Sequence, residues 1–239
     1  MSHDWPDRWL LAAAADPRTG LWGLVRGGPE PHAALAKLGS PAAEWHPEPE
    51  LELAVTDDGF AKPLATTPDV TDALWLLRIA GPHEAPAIAV ARPELSKLDS
   101  IRVLAACFPN GRAIALAAVR PKSGRADKEV VSALVAGADL MPAEAGATAD
   151  AQPQPQPPQI FDPRLSTTYN GQGAPLRAGI ELWLAADEDG DQRPLRLSAE
   201  STGDRLTGDL GNLRLEAYAQ RCHSRGEDGL GVYALVRPR

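Results

Sequence analysis

From Leu176 to Leu184 the chain alternates with a period of two. Leu176, Ala178, Ile180, Leu182 and Leu184 fall on one side of an extended chain, and Arg177, Glu181 and Trp183 fall on the other. Successive side chains of a strand point to opposite faces, so this spacing makes one apolar face and one polar face. The pattern recurs: Leu195, Leu197 and Ala199 oppose Arg196, Ser198 and Glu200, and Leu213, Leu215 and Ala217 oppose Arg214, Glu216 and Tyr218. It is the signature of half-buried antiparallel strands. Each polar face carries both Arg and Glu, so cross-strand ion pairs are available at roughly a few tenths of a kcal/mol each. Val232–Val236 supplies a further strand.

The residues before Pro142 read as shorter β signals punctuated by turns. Trp9–Ala15 and Leu21–Val25 are separated by Asp16-Pro17-Arg18-Thr19-Gly20, where an early proline and a final glycine suit a type I turn closed by a left-handed residue. Leu51–Val55, Leu74–Ile79 and Ala87–Val90 are further strands. Pro109-Asn110-Gly111-Arg112 joins Ile101–Phe108 to Ala113–Val119, and Asn-Gly predicts a two-residue hairpin with both residues at positive φ. One helix is expected over 127–137: Asp127 caps it, Gly137 ends it, and Val130, Val131, Leu134 and Val135 share a face.

Pro142–Gln159, PAEAGATADAQPQPQPPQ, offers almost nothing to bury and reads as a Pro/Gln-rich linker or long loop. It separates a β-rich body, 1–141, from an antiparallel β tail, 160–239, which is too small to stand comfortably alone and is expected to pack on or complete the body. The fold class that follows is mainly β: an antiparallel barrel or sandwich of many short strands with one or two short helices.

The acids outnumber the bases, 32 to 24, for a net charge of −8, and the arginines are scattered singly. Nucleic acid, which asks for a basic stripe, is not an expected partner. The longest apolar stretch near the amino terminus, Trp9–Ala15, is far short of the roughly 20 residues of a membrane span, and no export signal is read in the first residues. Cys107 and Cys222 lie one in each half of the chain, which suits free thiols in a reducing cytoplasm.

Nucleotide-binding, Gly-x-Ser-x-Gly and His-Glu-x-x-His motifs are absent, and no cofactor or metal is expected. Asp187–Asp191 has the wrong spacing for a calcium loop and reads as a hairpin turn. His46, within Glu44–Glu50, and the Cys222-His223 pair carry ligand-type side chains. Prolines around the first imply an extended loop, and strand geometry sends Cys222 and His223 to opposite faces. The segment Phe161–Gly171 gathers Arg164, Ser166, Thr167, Thr168 and Tyr169. An arginine with hydroxyls can hold a carboxylate or phosphate, and Tyr169 can give a proton to a ligand oxygen. Six tryptophans stand against three phenylalanines, and Trp183 shares its polar face with Arg177 and Glu181. The candidate ligand-binding set is therefore Arg164, Tyr169, Arg177, Glu181 and Trp183, at the mouth of a cavity.

Phe161–Trp183, FDPRLSTTYNGQGAPLRAGIELW, and the final GLGVYALVRPR resemble a bacterial β-rich family distantly similar to the two-lobed lipocalin-like proteins of the carotenoid hydratase type. The resemblance implies a β-barrel with a cavity for an apolar ligand and brings no catalytic residue with it. The function expected is binding of a small, partly apolar molecule. The alternatives are an isomerase, hydratase or cyclase acting on an apolar substrate, with Glu181 or Tyr169 as acid or base, and a structural protein without a cavity.

Overall fold

The computed structural model describes residues 9–26, 32–40, 46–47, 52–54, 65–66, 74–80, 84–122, 129–137, 159–184 and 193–239. The strands are β1 (Trp9–Asp16), β2 (Leu21–Arg26), β3 (His32–Lys37), β4 (His46–Pro47), β5 (Glu52–Ala54), β6 (Ala65–Thr66), β7 (Leu74–Ala80) and β8 (Ala85–Ala91). They continue with β9 (Leu98–Cys107), β10 (Ala113–Pro121), β11 (Val130–Ala136), β12 (Ile160–Tyr169), β13 (Pro175–Leu184), β14 (Arg193–Leu210), β15 (Leu213–Ser224) and β16 (Glu227–Pro238). The helical content among the described residues is a single 3-10 turn at Leu95–Lys97. Asp187–Asp191 and all of the Pro/Gln-rich stretch but Gln159 lie outside the described residues.

Antiparallel pairing builds two sheets, a seven-stranded one in the order β4-β3-β2-β1-β8-β7-β5 and a nine-stranded one in the order β12-β13-β14-β15-β16-β9-β10-β11-β6. The second joins both halves of the chain, because β16 pairs with β9 from Leu230↔Cys107 to Val236↔Ile101. It curls until β12 lies against β10 and β11, a nearly closed barrel.

Alternation along each strand feeds three apolar layers. Leu104, Ile114, Leu116, Val135, Ile180, Leu182, Leu197 and Tyr233 fill the barrel interior. Ile101, Val103, Leu134, Leu215, Val232 and Val236 point out of it, onto Leu11, Trp22, Leu24 and Ile88 of the seven-stranded sheet. The far face of that sheet buries Val25, Leu77 and Ile79. Fully burying one such side chain contributes roughly 1.5–3 kcal/mol. Gly231 shows how tight the fit is: a Cβ there would stand 2.6 Å from Cys222 Sγ and 2.7 Å from the Ala105 carbonyl oxygen.

The hairpin at Asp16–Gly20 forms as its residues require, with Gly20 N–H donating to the Asp16 carbonyl at 2.9 Å and Gly20 at φ +73°. Five expectations are corrected. Val130–Ala136 is a strand, not a helix, because it pairs with β10 over its whole length and sends Val131 and Val135 into the barrel. Its stiff β-branched residues suit a pleated surface better than a helix. The Asn110-Gly111 hairpin is longer by one residue: Phe108 and Arg112 close it, and only Gly111 takes positive φ, at +88°. The strands are not all short, since β14 spans 18 residues and bends at the irregularity between Ser201 and Arg205. β15 is buried on both faces, with Leu215 and Ala217 between the sheets and Tyr218 inside the barrel. Finally, Leu176 is 48% exposed, because a bulge pairs Tyr169 with Pro175 instead.

Candidate functional site

The barrel interior is apolar except toward one end, where β9 and β11 begin and β10, β12 and β16 finish. There the interior rows run out into charged and hydroxylic residues. On β9 Ser100 and Arg102 precede Leu104; on β10 Arg120 follows Ala118; Glu129 precedes Val131; on β16 Arg237 follows Leu235. Register places Arg102 opposite Ala118 and Arg120 opposite Ser100, so the two arginines are diagonal neighbours on one face.

Arg102 meets Glu129 through a two-pronged contact, Nε to Oε1 at 3.2 Å and Nη2 to Oε2 at 2.5 Å. The two side chains are 17% and 13% exposed. Burial by itself lowers the Arg102 pKa, but the hydrogen bond and charge of Glu129 more than offset it and leave it above the ordinary arginine value. Arg120 reaches the same carboxylate only loosely, with Nη2 4.0 Å from Oε1, and its buried Nε has no hydrogen-bond partner among the described residues.

Beside this cluster, hydroxyls from two strands meet. Thr167 Oγ1 donates to Tyr233 Oη at 3.3 Å, and Tyr233 Oη lies 2.9 Å from Tyr169 Oη. Burial pushes the Tyr233 phenol well above its usual range, the bond to Tyr169 adds to the rise, and Thr167 and Arg102 partly oppose it. Tyr233 is therefore a neutral phenol at physiological pH, wholly enclosed, while Tyr169 is 40% exposed. An open groove of about 610 Å³ runs over these groups, lined by Ser100, Arg102, Arg120, Tyr169, Leu235 and Arg237, with Asp99 on its wall. It can hold a small molecule with an apolar part on Leu235 and a polar part facing guanidinium and phenol groups.

Of the residues singled out in the sequence, Tyr169 lines this groove. Arg164, Arg177, Glu181 and Trp183 lie on the outer face of the barrel, because Ala178, Ile180, Leu182 and Leu184 between them point inward. Arg164 and Glu181 are cross-strand partners and line a second open groove of about 490 Å³ with Ser166, Arg196 and His223. There Arg164 pairs with Asp162 and Arg196 with Glu181 at 3.2 Å, His223 Nδ1 lies 2.9 Å from Asp228 Oδ1, and Arg225 also lines the groove. Arg177 pairs with Glu200 at 3.1 Å in solvent. Trp183 is half-buried. Cys222 is buried and His223 exposed, on opposite faces of β15. His46 pairs with Ala33 on β3, and the acids around it lie outside the described residues.

Arg102, Arg120, Glu129 and Tyr233 escaped the sequence reading. The available signal was a charge interrupting an interior row, Arg102 in Ile-Arg-Val-Leu and Glu129 before Val-Val. That signal becomes informative only when β9, β10 and β11 are known to be neighbours. Among the described residues no group of three or more His, Cys, Asp and Glu could hold a metal ion, and no helix is long and apolar enough to cross a membrane.

No family model matches the chain, and no curated protein matches it. Among solved structures it is similar to CghA with Sch210972, at 11% identity and TM-score 0.41, over 93% of this chain and 63% of that one. The chain thus spans less than two thirds of CghA. It is also similar to kievitone hydratase from Nectria haematococca, at 8% identity and TM-score 0.41, over 95% of this chain and 88% of that one. A candidate AttH from Nitrosomonas europaea aligns at 10% identity and TM-score 0.40, over 96% of this chain and 91% of that one.

Proposed function

We propose that the chain is a binding protein for a small, partly apolar molecule, which it takes in the groove at the polar end of the barrel. The observation that carries this reading is convergence. Side chains from β9, β10, β12 and β16 bring arginines, a phenol and an apolar floor to one concave place on an otherwise apolar interior face. Arg164, Arg177, Glu181 and Trp183 stay outside this reading, since those with a charge already have a partner and face away from the groove. A net charge of −8 favours a small molecule over nucleic acid. Two buried, unbridged thiols favour a reducing compartment such as the cytoplasm. Native mass spectrometry of the purified chain is the test. A bound small molecule is expected on the wild type and is expected to be lost from Tyr169→Ala. Equal occupancy of the two proteins would place the ligand elsewhere.

One observation favours an enzymatic second reading. Tyr169 presents an exposed phenol whose oxygen lies 2.9 Å from the enclosed hydroxyl of Tyr233, an arrangement suited to giving a proton to a substrate oxygen. In that case Tyr169→Phe keeps the ligand and stops its turnover. Unchanged turnover in that variant would remove Tyr169 as the proton donor, and no turnover by the wild type would leave simple binding.

A further inference from the structure

Resting on that groove as the binding site, we infer that its ligand is an organic acid, with a single carboxylate received by Arg120 and Arg237. The groove's three arginines are not equally engaged. Arg102 spends its fork on Glu129. Arg120 has one contact at 4.0 Å and a buried Nε without a partner among the described residues. Arg237 is exposed, and no carboxylate of the described residues lies within ion-pair distance of it. A guanidinium held at a partly desolvated wall gains most from an acceptor that matches its planar fork, and a carboxylate is such an acceptor.

The contrast with the rest of the surface sharpens the argument. In the second groove Arg164 is matched by Asp162 and Arg196 by Glu181, which leaves Arg225 as a single arginine in no ion pair among the described residues. A third groove, of about 700 Å³, shares Arg237, but its other charges are matched: Arg214 with Glu216, and Arg239 with Asp209. Among the described residues, the first groove is the one of the three that two weakly engaged arginines share, Arg120 with a contact only at 4.0 Å and Arg237 in no ion pair. Among the described residues, Arg102 and Glu129 cancel, Asp99 offsets one of the remaining charges, and one positive charge is left over. That balance suits a monoanion. Tyr169 Oη can donate a further hydrogen bond to the same carboxylate, and the apolar part of the acid would lie on Leu235.

The experiment titrates the full chain with octanoate and, separately, octan-1-ol, which shares its alkyl chain and lacks the charge, by isothermal calorimetry. Octanoate is expected to bind about tenfold or more tightly than octan-1-ol, with the advantage reduced by added salt. Arg120→Gln and Arg237→Gln are each expected to remove most of that advantage and leave octan-1-ol unaffected, with Arg120→Lys recovering part of it. Arg237 is exposed, so its variant reports even if Arg120→Gln folds poorly. Equal affinities for the two probes, unchanged in both variants but lost in Tyr169→Ala, would overturn the carboxylate and leave the groove as a binding site. Binding of neither probe would overturn both.

Discussion

Burial governs the chemistry of the two cysteines. It pushes the Cys107 thiol up to about 12, with the charge of Asp16 adding to the rise, and it pushes Cys222 higher still. Native protein at pH 8 is therefore expected to be silent to a thiol reagent such as DTNB and to react twice once unfolded. The sign of the linkage follows: both thiols bind protons more tightly when folded. Their stabilising contribution is complete below the unfolded thiol value, about 8.5, and is lost as pH climbs toward the folded values. Cys107→Ala is accordingly expected to flatten the alkaline loss of stability, read by urea melts between pH 8 and 11. At Glu129, replacement by Gln leaves Arg102 enclosed without its anion. A loss of about 1.5–3 kcal/mol is expected in the same melts, as for hydrogen bonds to charged groups.

At the scale of the element, turn and strand chemistry make separate predictions. Gly111 holds φ +88° in the β9–β10 hairpin, so Gly111→Val is expected to cost roughly 1–2 kcal/mol from left-handed strain. Val130 opens β11 and is 54% exposed, which makes it a clean reporter of backbone preference. In a helix, Val130→Ala would stabilise by roughly half a kcal/mol. In the strand it is expected to destabilise by a similar amount, since β-branched residues suit strands. A thermal melt distinguishes the two signs. The bulge at Leu176 matters for the site, because it sets Pro175 opposite Tyr169 at the end of β12.

The whole molecule is held by pairing between distant segments. β16 zips to β9 over seven registered pairs, and the interior and inter-sheet layers both draw residues from before and after the Pro/Gln-rich stretch. A protease site placed at position 150 should therefore yield, after cleavage, two fragments that co-elute on a native sizing column and separate only in denaturant. Fragments that part without denaturant would show that the shared sheet does not hold them.

The alternation at Ala178–Leu184, Leu195–Ala199 and Leu213–Ala217 determined from sequence alone that these segments are strands, because a period of two is a property of one strand by itself; that Leu215 and Ala217 lie between the sheets and Tyr218 inside the barrel was decided by the tertiary structure. Turn chemistry likewise fixed the Asp16–Gly20 hairpin. Val130–Ala136 could not be read this way: its apolar residues satisfy helix and strand alike, and pairing with β10 decided between them. The same limit applied to the site. Tyr169 was legible as a polar residue in a suggestive run, but its use depends on Tyr233, 64 residues away in sequence. Arg102, Arg120 and Glu129 looked like ordinary scattered charges until barrel closure brought their strand ends together and took Arg102 and Glu129 largely out of solvent. Which polar groups meet is a property of neighbouring strands, and only the tertiary structure supplies the neighbours.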